Sequence, residues 1–183
     1  MKAEKIDLEG IIVFTPDIYS DHRGYFFESF NAAQFRELSG LDISFVQDNE
    51  SFSSSGVLRG LHYQIPPHEQ GKLIRVIQGS VLDVAVDIRE NSDTIGQYFM
   101  IELSDKNKKQ VFIPPGFAHG FLTLSETAIF SYKCTNFYNK DSESGILYND
   151  KSLNIDWKTG KNKFILSEKD LLLPVFGNHK KFY

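Results

Sequence analysis

Short apolar runs of about five to nine residues, closed by glycine or proline, set the rhythm of this chain, and such spacing belongs to strands rather than helices. The clearest run is Ser80–Arg89. Leu82, Val84, Val86 and Ile88 share one face, and Asp83, Ala85 and Asp87 share the other. A period of two predicts a strand with one dry face. Lys72–Ile77 reads as a second strand, and the intervening Gln78-Gly79 predicts a hairpin between the two. Further strands are expected over Ile11–Phe14, Tyr25–Phe30, Ile43–Asn49, Val57–Gln64, Tyr98–Leu103, Gln110–Ile113, His119–Leu124 and Thr127–Thr135. Many short strands in an aromatic-rich chain predict an all-β sandwich or barrel, whose mouth suits a small ligand. Helical signals are few. Asn31 caps a short helix running through Leu38, with Phe35 and Leu38 inward. Ser167-Glu168-Lys169-Asp170 opens a helical turn ahead of Leu171-Leu172-Leu173.

Length and composition narrow the function classes. The 183 residues are one domain's worth, read as a single domain over 1–183. The charged fraction of 24% and hydrophobic fraction of 41% exclude a disordered chain and a coiled coil. The lone Cys134 excludes an internal disulfide framework and a thiolate-only metal cage, so a reducing cytoplasm is the expected compartment. A net charge of −4 supplies no basic field for nucleic acid. Met1–Gly10 lacks the apolar stretch of a targeting signal, and no run of about 18 apolar residues predicts a membrane span.

Polar groups concentrate in four segments: Asp21–Glu28, Gln47-Asp48-Asn49 with Gly56–Gln64, Gln70-Gly71-Lys72, and Pro114–Phe121. Strict alternation from Val57 places Arg59 and His62 on opposite faces. A shared site therefore needs a bulge, which Gly60 permits. Taken singly, Arg59 reads equally as a solvated cation and His62 as a satisfied strand histidine. A metal is not expected. His62 and His119 are the obvious imidazoles, but the residue two after His62 is Gln64, His68 sits in a proline-rich loop, and His22 and His179 have no evident partners. If the polar face of Ser80–Arg89 lines the interior, Asp83 needs His119 or Lys72 as partner, because an unpartnered buried carboxylate is costly.

The string Gly56-Val57-Leu58-Arg59-Gly60-Leu61-His62-Tyr63-Gln64 resembles the signature of the nucleotide-sugar 3,5-epimerases, most closely their rhamnose-pathway branch. Asp21–Glu28, Gln47–Asn49, Gly71–Arg75, Val81–Arg89, Ile113–Phe121, Tyr132–Thr135, Asn149-Asp150, Ile155–Trp157 and Ser167–Asp170 match in order, so the resemblance spans essentially the whole chain. The spacing follows least closely over Trp157–Lys163. Asn139-Lys140 stands where the family usually has a nearby proline, and Asp93-Thr94 replaces a common Pro-Thr.

The resemblance implies a cupin-type jelly-roll barrel or sandwich with a few short flanking helices, a homodimer, and neither metal nor other cofactor. It implies inversion of C3 and C5 of dTDP-4-dehydro-6-deoxy-D-glucose to give dTDP-4-dehydro-6-deoxy-L-mannose. Both carbons are α to the C4 ketone, so each inversion needs a base, an acid on the far face and a cation for the enolate oxygen. His62 matches the base, Tyr132 the acid, Lys72 the cation and Asp170 the carboxylate that orients His62. Arg23 and Arg59 match groups near the pyrophosphate. His119 matches a residue at the sugar and phosphate end. Phe26, Glu28, Gln47, Asp48 and Asn49 match the thymidine end, Tyr138 the ring stacked on thymine, and Glu143 and Lys169 peripheral contacts. The competing readings are a C3-only epimerase, an epimerase of another nucleotide-linked 4-keto-6-deoxy sugar, a non-catalytic sugar-nucleotide binder and a metal-dependent cupin oxygenase.

Overall fold

The structure is a computed structural model that describes residues 1–158 and 164–183; of the loosely matching stretch Trp157–Lys163, residues 159–163 lie outside the described residues. Two antiparallel sheets carry the chain. The six-stranded sheet runs β1 (Lys2–Lys5), β2 (Ile12–Thr15), β10 (Gln110–Ile113), β7 (Lys72–Gln78), β12 (Thr127–Cys134), β5 (Gln47–Ser54). The five-stranded sheet runs β13 (Glu143–Gly145), β6 (Leu58–Gln64), β11 (Phe117–Thr123), β8 (Ser80–Asp87), β9 (Tyr98–Ser104). A separate hairpin pairs β3 (Tyr19–Asp21) with β4 (Gly24–Phe26). Two short helices flank the sheets: α1 (Ala32–Ser39) and α2 (Glu168–Leu171). This is the expected all-β, cupin-like sandwich with short helices.

Alternation explains the layers. Val13, Ile74, Val76, Val111 and Phe130 of one sheet meet Ala85, Leu103, Phe117 and Phe121 of the other in the central core. The opposite face of β8 is also dry: Leu82, Val84 and Val86 pack with Leu58, Ile146, Leu153 and Trp157. The expectation of one dry face is thus corrected, because the C-terminal third of the chain folds back over that sheet. On the outer side of the six-stranded sheet, α1 seats Phe35 against Phe14 and Phe112. Asn31 caps this helix, its Oδ1 accepting from the Ala33 and Gln34 N–H groups, as expected.

The hairpin expected across Gln78-Gly79 does not form. β7 lies between β10 and β12, while β8 lies between β11 and β9 in the other sheet. Gly79 is the corner where the chain changes sheets. Its φ is +79°, and a Cβ there would stand 2.1 Å from the Thr127 carbonyl oxygen. Three other expectations shift. The strand from Tyr25 ends at Phe26, and the one read from Ile43 begins at Gln47, because Phe30 and Phe45 leave the sheets to pack edge-on, 5.4 Å apart, beside α1. The strand expected over Ile11–Phe14 runs from Ile12 to Thr15 and is internal, between β1 and β10.

Candidate active site

A cavity of about 610 Å³ opens between the two sheets, within the range of small-ligand sites. Its decisive feature is on β6. There His62 pairs with His119 but Arg59 pairs with Phe121, so three steps on β6 face two on β11. This is the bulge that Gly60 permits, and it brings Arg59 and His62 to one cavity.

His62 and Asp170 are 108 positions apart in sequence, yet His62 Nε2 lies 2.5 Å from Asp170 Oδ1. The carboxylate is buried and the imidazole is half-buried. Ser167 caps α2 by accepting the Asp170 N–H at 3.1 Å. Capping and pairing with His62, which compete as readings of the sequence, are therefore met together, by the backbone and the side chain of one residue. Burial pushes the Asp170 carboxyl upward, but hydrogen bonds from His62, Ser167 and the Gly60 N–H outweigh it and hold the pKa below the usual value. A second pair sits beside the first: His119 Nε2 is 2.8 Å from Asp83 Oδ2, which answers the requirement that Asp83 be partnered. Asp87, four residues along, belongs elsewhere. It accepts from Arg89, Ser92 and Thr94, away from the cavity lining.

The opposite wall comes from the six-stranded sheet. Tyr132 on β12 and Lys72 on β7 both line the cavity. Burial raises the Tyr132 pKa and so keeps the phenol protonated. Burial lowers the Lys72 pKa, a shift that the Asp83 and Glu143 carboxylates oppose without cancelling. Lys72 forms no ion pair among the described residues. Phe121 and Phe130 stack at 4.1 Å and line the cavity with a flat apolar surface. Sequence reading missed these rings, although Phe130 shares the face of Tyr132 by simple alternation.

At the mouth, Arg59 Nε donates to Ser53 Oγ at 3.1 Å, tying the two sheets together. Tyr138 donates its hydroxyl to Glu143, which also pairs with Lys169 at 2.6 Å. Asn49 lines the cavity; Gln47 does not, but its amide donates to Asn49 and accepts from the Tyr138 N–H. Gln64, also missed, accepts from the Asn139 N–H at 2.7 Å and so holds the Tyr138 loop. The Asn139 side chain closes that loop by accepting from Asp141 and Ser142, which provides the turn without a proline.

Besides Gln47, four expected site residues are not brought to this cavity. Asp48 projects from the opposite face of β5 and pairs with Lys133 at 2.9 Å, a consequence of strand alternation between Gln47 and Asn49. Arg23 and Phe26 lie on the exposed β3–β4 hairpin, where Arg23 is forked onto Asp21. Glu28 accepts from Asn31 and Gln34 at the start of α1. Among the described residues, no three histidine, cysteine or carboxylate side chains gather as metal ligands, and His62 and His119 are each committed to an aspartate.

The family model for dTDP-4-dehydrorhamnose 3,5-epimerase matches residues 5–178. This chain belongs to that family. It is a carbohydrate epimerase. A dTDP-4-dehydrorhamnose 3,5-epimerase of Methanothermobacter thermautotrophicus is 53% identical over 167 residues, covering 91% of this chain and 89% of its own. The crystal structure of the enzyme of that name from Elizabethkingia anophelis superposes with a TM-score of 0.92 at 53% identity, over 97% of both chains. A dTDP-6-deoxy-D-glucose-3,5-epimerase from Legionella pneumophila, solved with dTDP-4-keto-L-rhamnose, superposes at 0.93 with 47% identity, over 97% of this chain and 93% of its own. The 3,5-epimerase family is thereby established for a cavity whose base and acid candidates stand on opposite walls. No helix among the described residues is long and apolar enough to cross a membrane.

Proposed function

We propose that His62, Tyr132 and Lys72 carry the epimerisation in this cavity, with Asp170 orienting His62. The reaction is the 3,5-epimerisation of a dTDP-linked 4-keto-6-deoxyglucose to the L-rhamnose precursor. The observation that carries the assignment is the placement of His62 on the five-stranded sheet and of Tyr132 and Lys72 on the six-stranded sheet, all facing one cavity. Inversion requires removal of a proton from one face and delivery of another to the opposite face. Neutral His62 takes the proton from C3 or C5. Asp170 accepts from the far side of the ring and stabilises the imidazolium. The electron pair moves onto the C4 oxygen, where the Lys72 ammonium offsets the enolate charge. Tyr132 then returns a proton to the opposite face. His119 lines the same cavity and is held by Asp83 behind it. In D₂O, the substrate dTDP-4-dehydro-6-deoxyglucose is expected to gain deuterium at both C3 and C5, read by proton NMR and mass spectrometry. Deuterium at C3 alone would replace this reading with a C3-only epimerase.

The nucleotide end is read as an arrangement of two copies of the chain, located in the cytoplasm. Arg59, Asn49 and Tyr138 stand at the cavity mouth, whereas Arg23, Phe26 and Glu28 lie outside it in their own chain. The hairpin exposes Tyr19, Tyr25 and Phe26, and the mouth exposes Phe137 and Tyr138. Uncovered aromatic surface of this kind marks an association site. A homodimer would let the hairpin of one copy complete the site of the other. Arg23→Ala and His62→Ala are each expected to be nearly inactive. Mixed in equal amounts and allowed to exchange subunits, they should recover about one quarter of parental activity, since half the dimers are mixed and each has one intact site. No recovery despite demonstrated exchange would rule out the shared site.

A further inference from the structure

Gly60 and Gly120 cross with nothing but backbone between them. A Cβ on Gly60 would stand 2.5 Å from the Gly120 Cα and 2.7 Å from the His119 carbonyl oxygen. A Cβ on Gly120 would stand 2.7 Å from the Arg59 carbonyl oxygen and 3.1 Å from Leu61 Cδ2. Gly60 has a φ of +122°, which an L side chain disfavours. The other edge of β6 is equally close. Gly145 pairs with His62, and a Cβ there would meet the Leu61 carbonyl oxygen at 2.5 Å. Backbone thus confines the Arg59–His62 segment from both sides. The bulge brings Arg59 and His62 to one cavity, and through His62 it sets where the paired Asp170 carboxylate stands.

The geometry points to the Gly60–Gly120 crossing as a positioning element for the reaction, one that sets where His62 and Asp170 stand relative to the sugar rather than merely filling the sheet. It rests on the assignment of His62 and Asp170 given above. Neither glycine lines the cavity; both act through β6. Reacting groups misplaced by about 1 Å lose about a hundredfold in rate. A methyl at position 120 pushes on the Arg59 carbonyl, three residues before His62 on the same bulged strand.

Gly120→Ala is therefore expected to lower kcat by about tenfold to a hundredfold with a smaller rise in KM, because of the mouth residues only Arg59 lies on the displaced segment while Asn49 and Tyr138 do not. It is also expected to change the ratio of deuterium entering C3 and C5 in D₂O. A displaced base does not stay equally close to two carbons. Leu82→Ala is the control. It empties a buried position on the far face of the same sheet, so it should lower the melting temperature while leaving kcat and the deuterium ratio unchanged. If Gly120→Ala alone does not fold, Gly120→Ala/Leu61→Val removes the 3.1 Å contact and is judged by the same two readouts. Parental kcat and deuterium ratio in a folded variant, or failure of both variants to fold, would make the crossing a packing requirement only. His62→Ala tests the underlying assignment separately: if that variant stays active, the base is wrong, whatever Gly120→Ala does.

Discussion

His62→Ala is expected to lose about 10²–10⁴-fold in kcat/KM and to incorporate deuterium at neither C3 nor C5. The expectation follows from the position of the imidazole. It is half-buried, faces the cavity, and is held through Nε2 by a buried carboxylate 2.5 Å away. That carboxylate is kept in its charged form. Burial alone would raise its pKa, but the His62, Ser167 and Gly60 hydrogen bonds lower it overall. Asp170 is accordingly ionised through the neutral range and can hold His62 in one orientation. The sign is that of a depressed carboxylate: its contribution to stability is present above the unfolded pKa and is lost as pH falls through the folded one. Alanine at position 62 leaves the buried Asp170 without its imidazole partner, so the variant should also melt earlier. Substantial exchange at either carbon in a folded His62→Ala enzyme would move the base to another residue, with His119 the next imidazole on the same cavity wall.

Lys72→Met is expected to do two opposite things. It should lower kcat by about 10²–10³-fold, the usual loss for one partner of a developing oxyanion. It should also raise the melting temperature. Lys72 has no ion pair among the described residues, and burial depresses its pKa despite the carboxylates nearby. A depressed lysine binds fewer protons folded than unfolded, so its charge opposes folding below the unfolded pKa, and that penalty eases as pH rises through the folded one. Methionine fills similar space without the charge. In the parent enzyme, kcat should fall on the alkaline side as Lys72 deprotonates, at a pH below the ordinary lysine range; this limb should be absent from the residual activity of Lys72→Met. A variant that is slower and less stable, with the alkaline limb intact, would show that Lys72 supports the sheet and not the enolate. A more stable, less active variant would mark the lysine as a site where function is maintained against stability.

Local pattern carried much of the fold. Alternation identified β8; Asn31 and Ser167 were legible as caps, and the Gly56–Gln64 string with Lys72, Tyr132 and Asp170 was legible as a candidate site through resemblance. The bulge at Gly60 could be stated as a condition on sequence alone, and the register of β6 against β11 meets it. Other features were not legible for identifiable reasons. Phe30 and Phe45 have the residue type of strands but are drawn off the sheets by α1. β1 and β13 are only four and three residues long, too short for a period to emerge. Gln64 lies inside the matched string, but its role depends on Asn139, 75 residues away.

The sequence by itself determined which faces of each strand are apolar, where helices begin, and which residue types are available for proton transfer, because these depend on neighbours within a few positions. Only the tertiary structure decided which strands share a sheet, that Gly79 is a corner and not a hairpin, that Asp48 turns away while Asn49 turns in, and that Asp170 meets His62. Alternation states how a strand presents its sides but not which edge it pairs with. That choice is made by packing both faces at once and by closing loops as long as the 108 positions that separate His62 from Asp170.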